Sequence, residues 1–165
     1  EKQLQTLKKY SYKVVTVSEL LSHCCCSDVF SDDEIYPALE YLTAAGRAVL
    51  FSDNRLHADK PITRGEFAAM AAPPECFLRR AENLIKGQRG NVCADVFNKD
   101  KYSAAIAYCV ENNAMFLKAG LFKPKELIMA EDAAHALKTL YGINAAFDAA
   151  PTRRQIISML YDALK

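Results

Sequence analysis

No stretch of this 165-residue chain is apolar enough, over enough residues, to cross a bilayer, so membrane insertion is not expected. The net charge is only +1, and the basic residues are scattered rather than gathered in a stripe with interleaved aromatics. Nucleic acid is therefore not an expected partner. There is no Cys-x-x-Cys, and the three histidines, His23, His57 and His135, stand far apart, outside any nucleophile or metal motif. No cofactor, metal or catalytic activity is expected. Tryptophan is absent, and there are only six glycines and six prolines. No run reads as a strand of more than a few residues. Neither an initiator Met nor a secretory signal opens the chain. It is expected to be a mature or excised piece, which leaves export open.

Six cysteines need a reading. Cys24, Cys25 and Cys26 are consecutive, and three adjacent residues cannot all ligate one metal comfortably, even with His23 beside them. The irregular spacing of Cys76, Cys93 and Cys109 argues against a disulfide framework. Small buried apolar side chains are the expected role. That fits a reducing environment, or an anaerobe in which exported thiols survive.

What the chain does contain is helix punctuation. Thr16/Glu19, Thr63/Glu66 and Thr152/Gln155 each have the spacing of a capping box, in which an N-cap hydroxyl and a side chain three residues on satisfy each other's backbone. Ile62 and Phe67 flank the second box as a hydrophobic staple would. Helices are expected from Thr16 to about Cys25, from Asp33 to Ala45, after Thr63 as far as Pro73-Pro74, over 75–86, from Glu131 to Tyr141, and from Ile156 to Leu164. Ile35, Ala38, Leu39 and Leu42 share one face, as do Ile156, Met159, Leu160 and Ala163. Gly46 and Gly142 end their helices. Arg64 is the notable polar residue. At the first helical position it gains nothing from the helix dipole, and its guanidinium is expected to reach out toward a carboxylate or phosphate.

The chain also repeats itself. Cys93-Ala94-Asp95-Val96-Phe97 restates Cys26-Ser27-Asp28-Val29-Phe30, and Ala105 to Tyr108 restates Ala38 to Tyr41, at an offset of 67. Gly120 to Pro124 restates Asn54 to Ala58, and Leu127 to Glu131 restates Pro61 to Gly65, at an offset of 66. One residue is lost in the intervening loop. The architecture is expected to be all-α, built of helix–loop–helix units whose apolar faces pack on neighbouring units.

The unit Asp-Val, amphipathic helix, glycine, long loop, Phe-x-Pro corner and Ile-Thr-Arg-containing helix resembles the S-layer homology module. Ile62-Thr63-Arg64-Gly65-Glu66, Phe122-Lys123-Pro124 and Ala150-Pro151-Thr152-Arg153 carry the resemblance. Residues 1–165 would then be one domain, with modules at 27–72 and 94–142, half-modules at 12–25 and 147–165, and a linker helix at 75–91. The resemblance implies a pseudo-threefold helical assembly. It also implies an exported bacterial protein held non-covalently at the cell wall or S-layer. The ligand in the family is an acidic secondary cell-wall polysaccharide, often with a pyruvylated terminal sugar. It lies in grooves between modules, with the motif arginine on its acid group. Arg64 and Arg153 match that arginine, Thr63 and Thr152 accompany it, and Glu34 and Lys101 stand near the place of the family's tryptophan. Cys26 and Cys93 fall where the family puts a buried Phe.

The departures favour an alternative, a diverged scaffold that contacts another surface protein and binds no glycan. The tryptophan is missing, Met129-Ala130 replaces Thr-Arg in the second module, and Leu50 replaces the mid-loop glycine. Asp28 and Asp95 are expected to cap the turns that follow them. Tyr36, Phe51, Tyr102 and Phe116 are candidate sugar-stacking or loop-anchoring aromatics. His135 is expected to be a packed or surface residue.

Overall fold

Asp33 sets the start of the first described helix. Its carboxylate accepts the Ile35 N–H at 3.0 Å, which bends the chain into a turn and delays the helix to Tyr36–Ala44 (α1). Pro37 sits in the first turn, where its missing N–H costs nothing. Ile35, Ala38, Leu39 and Leu42 are buried, as the spacing predicts. The computed structural model describes residues 26, 28–47, 55–77 and 92–165. The expected half-module at 12–25 and most of the linker helix at 75–91 lie outside these residues; 75–77 are helical.

Five longer helices are described: α1, then α2 (Arg64–Ala71), α3 (Ser103–Glu111), α4 (Ala130–Tyr141) and α5 (Arg153–Leu164). The described residues form no strand or sheet, only isolated bridges. The capping boxes at Thr63/Glu66 and Thr152/Gln155 both form, and they fix the starts of α2 and α5. The start of α5 is therefore Arg153, three residues before the expected Ile156. Its buried face is Arg153, Ile156, Ile157 and Leu160, whereas Ala163 is exposed. Leu164, not Ala163, packs against the core in the last turn.

The repeat is conformational as well as textual. At the end of α1, Gly46 is left-handed (φ 75°), Gly46 N–H donates to Thr43 O and Arg47 N–H to Leu42 O. At the end of α3, Asn113 is left-handed (φ 55°), Asn113 N–H donates to Val110 O and Ala114 N–H to Cys109 O. Both are Schellman caps, and glycine and asparagine are the residues that tolerate the left-handed position.

α2 is the central helix. Of its residues only Glu66 is not fully buried. Ala68, Ala69 and Ala71 present little bulk, so neighbouring helices approach closely. α2 packs mainly on α3 and also touches α4 and α5, while α5 packs on α1. The segments just before α2, α4 and α5 meet in the interior. Ile62 N–H donates to Pro151 O at 3.0 Å, and Ile128 N–H to Ile62 O at 3.1 Å. Ile62, Ile128 and Pro151 are all buried.

Candidate functional site

The starts of α2 and α5 are each plugged into the loop of a neighbouring unit. Arg64 N–H donates to Glu126 O (2.8 Å) and Gly65 N–H to Pro124 O (2.9 Å). Likewise Arg153 N–H donates to Lys60 O (3.3 Å) and Arg154 N–H to Ala58 O (2.8 Å). The first-turn donors of α2 and α5, which a free helix start would offer to an anion, are thus satisfied within the protein.

The arginines follow the backbone inward. Arg64 is 1% exposed. Its Nε donates to Phe122 O (2.8 Å), Nη2 to Phe116 O (2.7 Å) and Nη1 to Asp132 Oδ2 (2.6 Å), and its guanidinium lies 4.9 Å over the Phe122 ring. Arg153, 6% exposed, pairs with Glu66 Oε2 at 2.8 Å. The expectation of outward-reaching guanidiniums at Arg64 and Arg153 is therefore corrected. The neighbouring loop supplies carbonyls and a carboxylate that a buried charge needs, and the fork geometry of arginine uses several of them at once. Thr63 and Thr152 are occupied by their caps, accepting from Glu66 N–H and Gln155 N–H at 3.4 Å each.

Asp28 and Asp95 also act at long range, not on the turns that follow them. Asp28 accepts the N–H groups of Leu56 (2.7 Å) and His57 (2.8 Å). Asp95 accepts those of Phe122 (2.8 Å) and Lys123 (2.7 Å). His57 and Lys123 are both left-handed (φ 52° and 58°), a costly conformation for these residues that the paired carboxylate bonds hold in place. Burial pushes both carboxyls up, but the thiol and backbone donors outweigh it, and both end below the usual range. The thiols come from Cys26 (3.0 Å to Asp28) and Cys93 (3.2 Å to Asp95). Cys26 and Cys93, expected in the core, are partly buried: both pack against it while each thiol donates to its aspartate. Cys76 and Cys109 are buried, as expected, and burial pushes the Cys109 thiol up to about 12. The described residues hold no metal-binding cluster.

Between α2 and α3 lies a groove of about 520 Å³. Its charged lining is Lys101 and Lys125 together with Glu66, Asp95 and Asp100, beside Thr63, Phe97 and Tyr102. Its size falls in the range of small-ligand pockets. Lys101 Nζ stands 5.2 Å over the Tyr102 ring, and neither Lys101 nor Lys125 makes an ion pair among the described residues. Of the residues singled out from the sequence, the structure brings Thr63, Lys101 and Tyr102 to this groove. Glu34 and Thr152 belong to the other junction, between α1 and α5, and Glu34 is exposed there. Tyr36 is partly buried against the core, and Phe116 is exposed with its ring on His135 (5.0 Å between centroids). Phe51 lies outside the described residues.

Two functional-looking residues escaped the sequence reading. Lys125 is one, although the repeat places it opposite Asp59. Arg47 is the other. It is buried and donates from Nη1 to Ala71 O (2.9 Å) and the Tyr141 hydroxyl (2.9 Å), with Met70 O and Ala72 O near by, so it neutralises the C-terminus of α2. Its repeat counterpart is Ala114, which gave no signal.

No curated protein and no solved structure matches the chain. S-layer homology domains are non-catalytic modules that bind cell-wall polymers and hold proteins at the cell surface. The match to that family covers residues 27–68, from Asp28 with its thiol and loop bonds, through α1, to the capping box and first turns of α2, and over those residues the chain is similar to an S-layer homology domain.

Proposed function

We propose that the chain anchors its parent protein to the cell wall by holding an acidic secondary cell-wall polysaccharide in the groove between α2 and α3. The observation that carries this reading is the pair Lys101 and Lys125. Two ammonium groups without ion-pair partners among the described residues line a cleft with Tyr102, whose ring gives a sugar an apolar face. The carboxylate of a pyruvylated sugar fits two ammonium groups, and the threonine and glutamate of the capping box add polar edges for hydroxyls.

We also read the helices as a pseudo-threefold assembly. Arg153 at the first position of α5 pairs with Glu66 at the third position of α2, and Arg64 at the first position of α2 pairs with Asp132 at the third position of α4. The third such link would join α4 to α5. There the arginine is replaced by Ala130 and the acid by Gln155, so donor and acceptor charges are lost together. The Ile128–Ile62–Pro151 meeting supports the same axis.

The test is co-sedimentation with Gram-positive sacculi, with and without their secondary polymer. Pelleting that requires the polymer supports the reading. A second reading, contact with another surface protein, is favoured by Leu127 and Met129, which are 51% and 60% exposed where the other helix starts carry Pro61/Thr63 and Ala150/Thr152. Pelleting with no sacculus, or with all of them regardless of polymer, would move the conclusion to that second reading.

A further inference from the structure

The two junctions of the repeat are built to the same plan and share the repeat's aspartates, Asp28 and Asp33 at one and Asp95 and Asp100 at the other, but the charge is reversed at two positions. Gly65 N–H to Pro124 O and Arg154 N–H to Ala58 O are the same bond in two places, so Gly65 corresponds to Arg154 and the 124–125 corner to the 58–59 corner. The repeat offsets then set Lys101 against Glu34, Lys125 against Asp59 and Tyr102 against Ile35. Every cation lining the α2/α3 groove has an acid as its counterpart at the α5/α1 junction.

The glycine completes the exchange. A Cβ on Gly65 would lie 3.0 Å from Pro124 O and 3.1 Å from the Tyr102 ring, so this groove admits no side chain there. At the other junction the corresponding Arg154 reaches Asp33 (2.8 Å from Nη1) and Asp59 (2.9 Å from Nε). The hydrogen bonds from Arg154 hold the Asp33 carboxyl below its usual range. An anionic sugar at that junction would meet Glu34 and Asp59 where the α2/α3 groove has Lys101 and Lys125, with Arg154 already engaged, while Asp33 and its counterpart Asp100 are common to both.

We infer that, of the two junctions among the described residues, one binds an anion, with Lys101 and Lys125 determining specificity for a carboxylate-bearing sugar, and that the other, the α5/α1 junction, is occupied by the protein's own Arg154. This rests on the glycan reading above and narrows it to one groove and one stoichiometry. Glu34 and Thr152 then take no part in binding, and Arg64 and Arg153 hold the units together.

The experiment is calorimetric titration of the whole chain with a methyl glycoside of a hexosamine carrying a pyruvate ketal, beside the methyl ester of the same compound, on protein already scored for polymer-dependent pelleting. The expected result is one site per chain, with at least tenfold weaker binding of the ester. The variant Lys101→Glu/Lys125→Asp, which copies the residues of the other junction, should bind at least tenfold more weakly. Asp59→Asn and Arg154→Gly should each bind within twofold of the parent. Circular dichroism identifies any variant that fails to fold, and Asp59→Asn tests the second junction without altering the start of α5. Loss of polymer-dependent pelleting by the parent chain would overturn the glycan reading and this inference together. Normal pelleting with two sites, with no glycoside bound, with the lysine variant unaffected, or with binding lost in Asp59→Asn would overturn the inference alone.

Discussion

Arg64 and Asp132 meet at 2.6 Å across two units of the repeat, the first buried in the centre of the molecule and the second at its edge, where Lys118 also reaches it at 3.1 Å. The arginine that the repeat marks out as a ligand-gripping residue is thus a clamp between neighbouring units. Its removal should be a stability event. We expect Arg64→Ala to lower unfolding free energy by about 2–4 kcal/mol, since it strands the buried Phe122 carbonyl, frees the Phe116 carbonyl, leaves Asp132 with Lys118 alone and opens a cavity in the centre. Arg64→Lys should recover only part of this, because one ammonium cannot serve three acceptors. Urea unfolding of the three proteins checks it; a loss under about 1 kcal/mol for the alanine variant would show that the clamp contributes little.

The missing third clamp offers a test of the pseudo-threefold reading. Ala130→Arg and Gln155→Glu together should be more stable than the sum of the single changes, with a coupling of about 1 kcal/mol. Simple additivity would show that the starts of α4 and α5 are not related as the other pairs are.

Acid should loosen the loops through Asp28 and Asp95. Both carboxyls lie below the ordinary 3.8 in the folded protein, so the folded state binds protons less readily than the unfolded chain. Their contribution is present above pH 3.8 and is lost as pH falls through the folded values. Denaturation midpoints measured from pH 7 to pH 2 should therefore fall on the acid limb. Asp28→Asn and Asp95→Asn should each start lower at pH 7 and lose less on that limb. An unchanged slope in both would remove the aspartates from the acid response.

Gly65→Ala tests how closely the units approach. The new methyl would press on a backbone carbonyl and an aromatic ring, neither of which turns aside easily. We expect a loss of about 1–3 kcal/mol, typical of an overpacked site. Wild-type stability in this variant would mean that the corner at Pro124 yields.

The parts of the molecule written in short-range spacing were legible beforehand. Both described capping boxes, the buried face of α1, and the endings at Gly46 and Gly142 depend on residues within four or five positions of one another. The repeat was legible because two units must satisfy the same geometry. The direction of Arg64 was not, since it depends on carbonyls at Phe116 and Phe122, which only the assembled neighbour brings near. Asp28 was misread for the same reason: its partners lie 28 and 29 residues away. Arg47 was hidden because the repeat replaces it with Ala114. Lys125, by contrast, could have been found by setting the two units side by side and comparing charge.

Pro151 has a further consequence at the meeting point of the three segments. It offers a carbonyl to Ile62 but has no N–H with which to reach Ile128. What would be a closed ring of backbone bonds is a string with two ends. Detaching Ile128 or Pro151 breaks one of these bonds, whereas detaching Ile62 breaks both. A pull transmitted to the centre of the molecule would therefore part an end segment before the one bearing Ile62. The fold thereby makes the segment before α2 the last to let go.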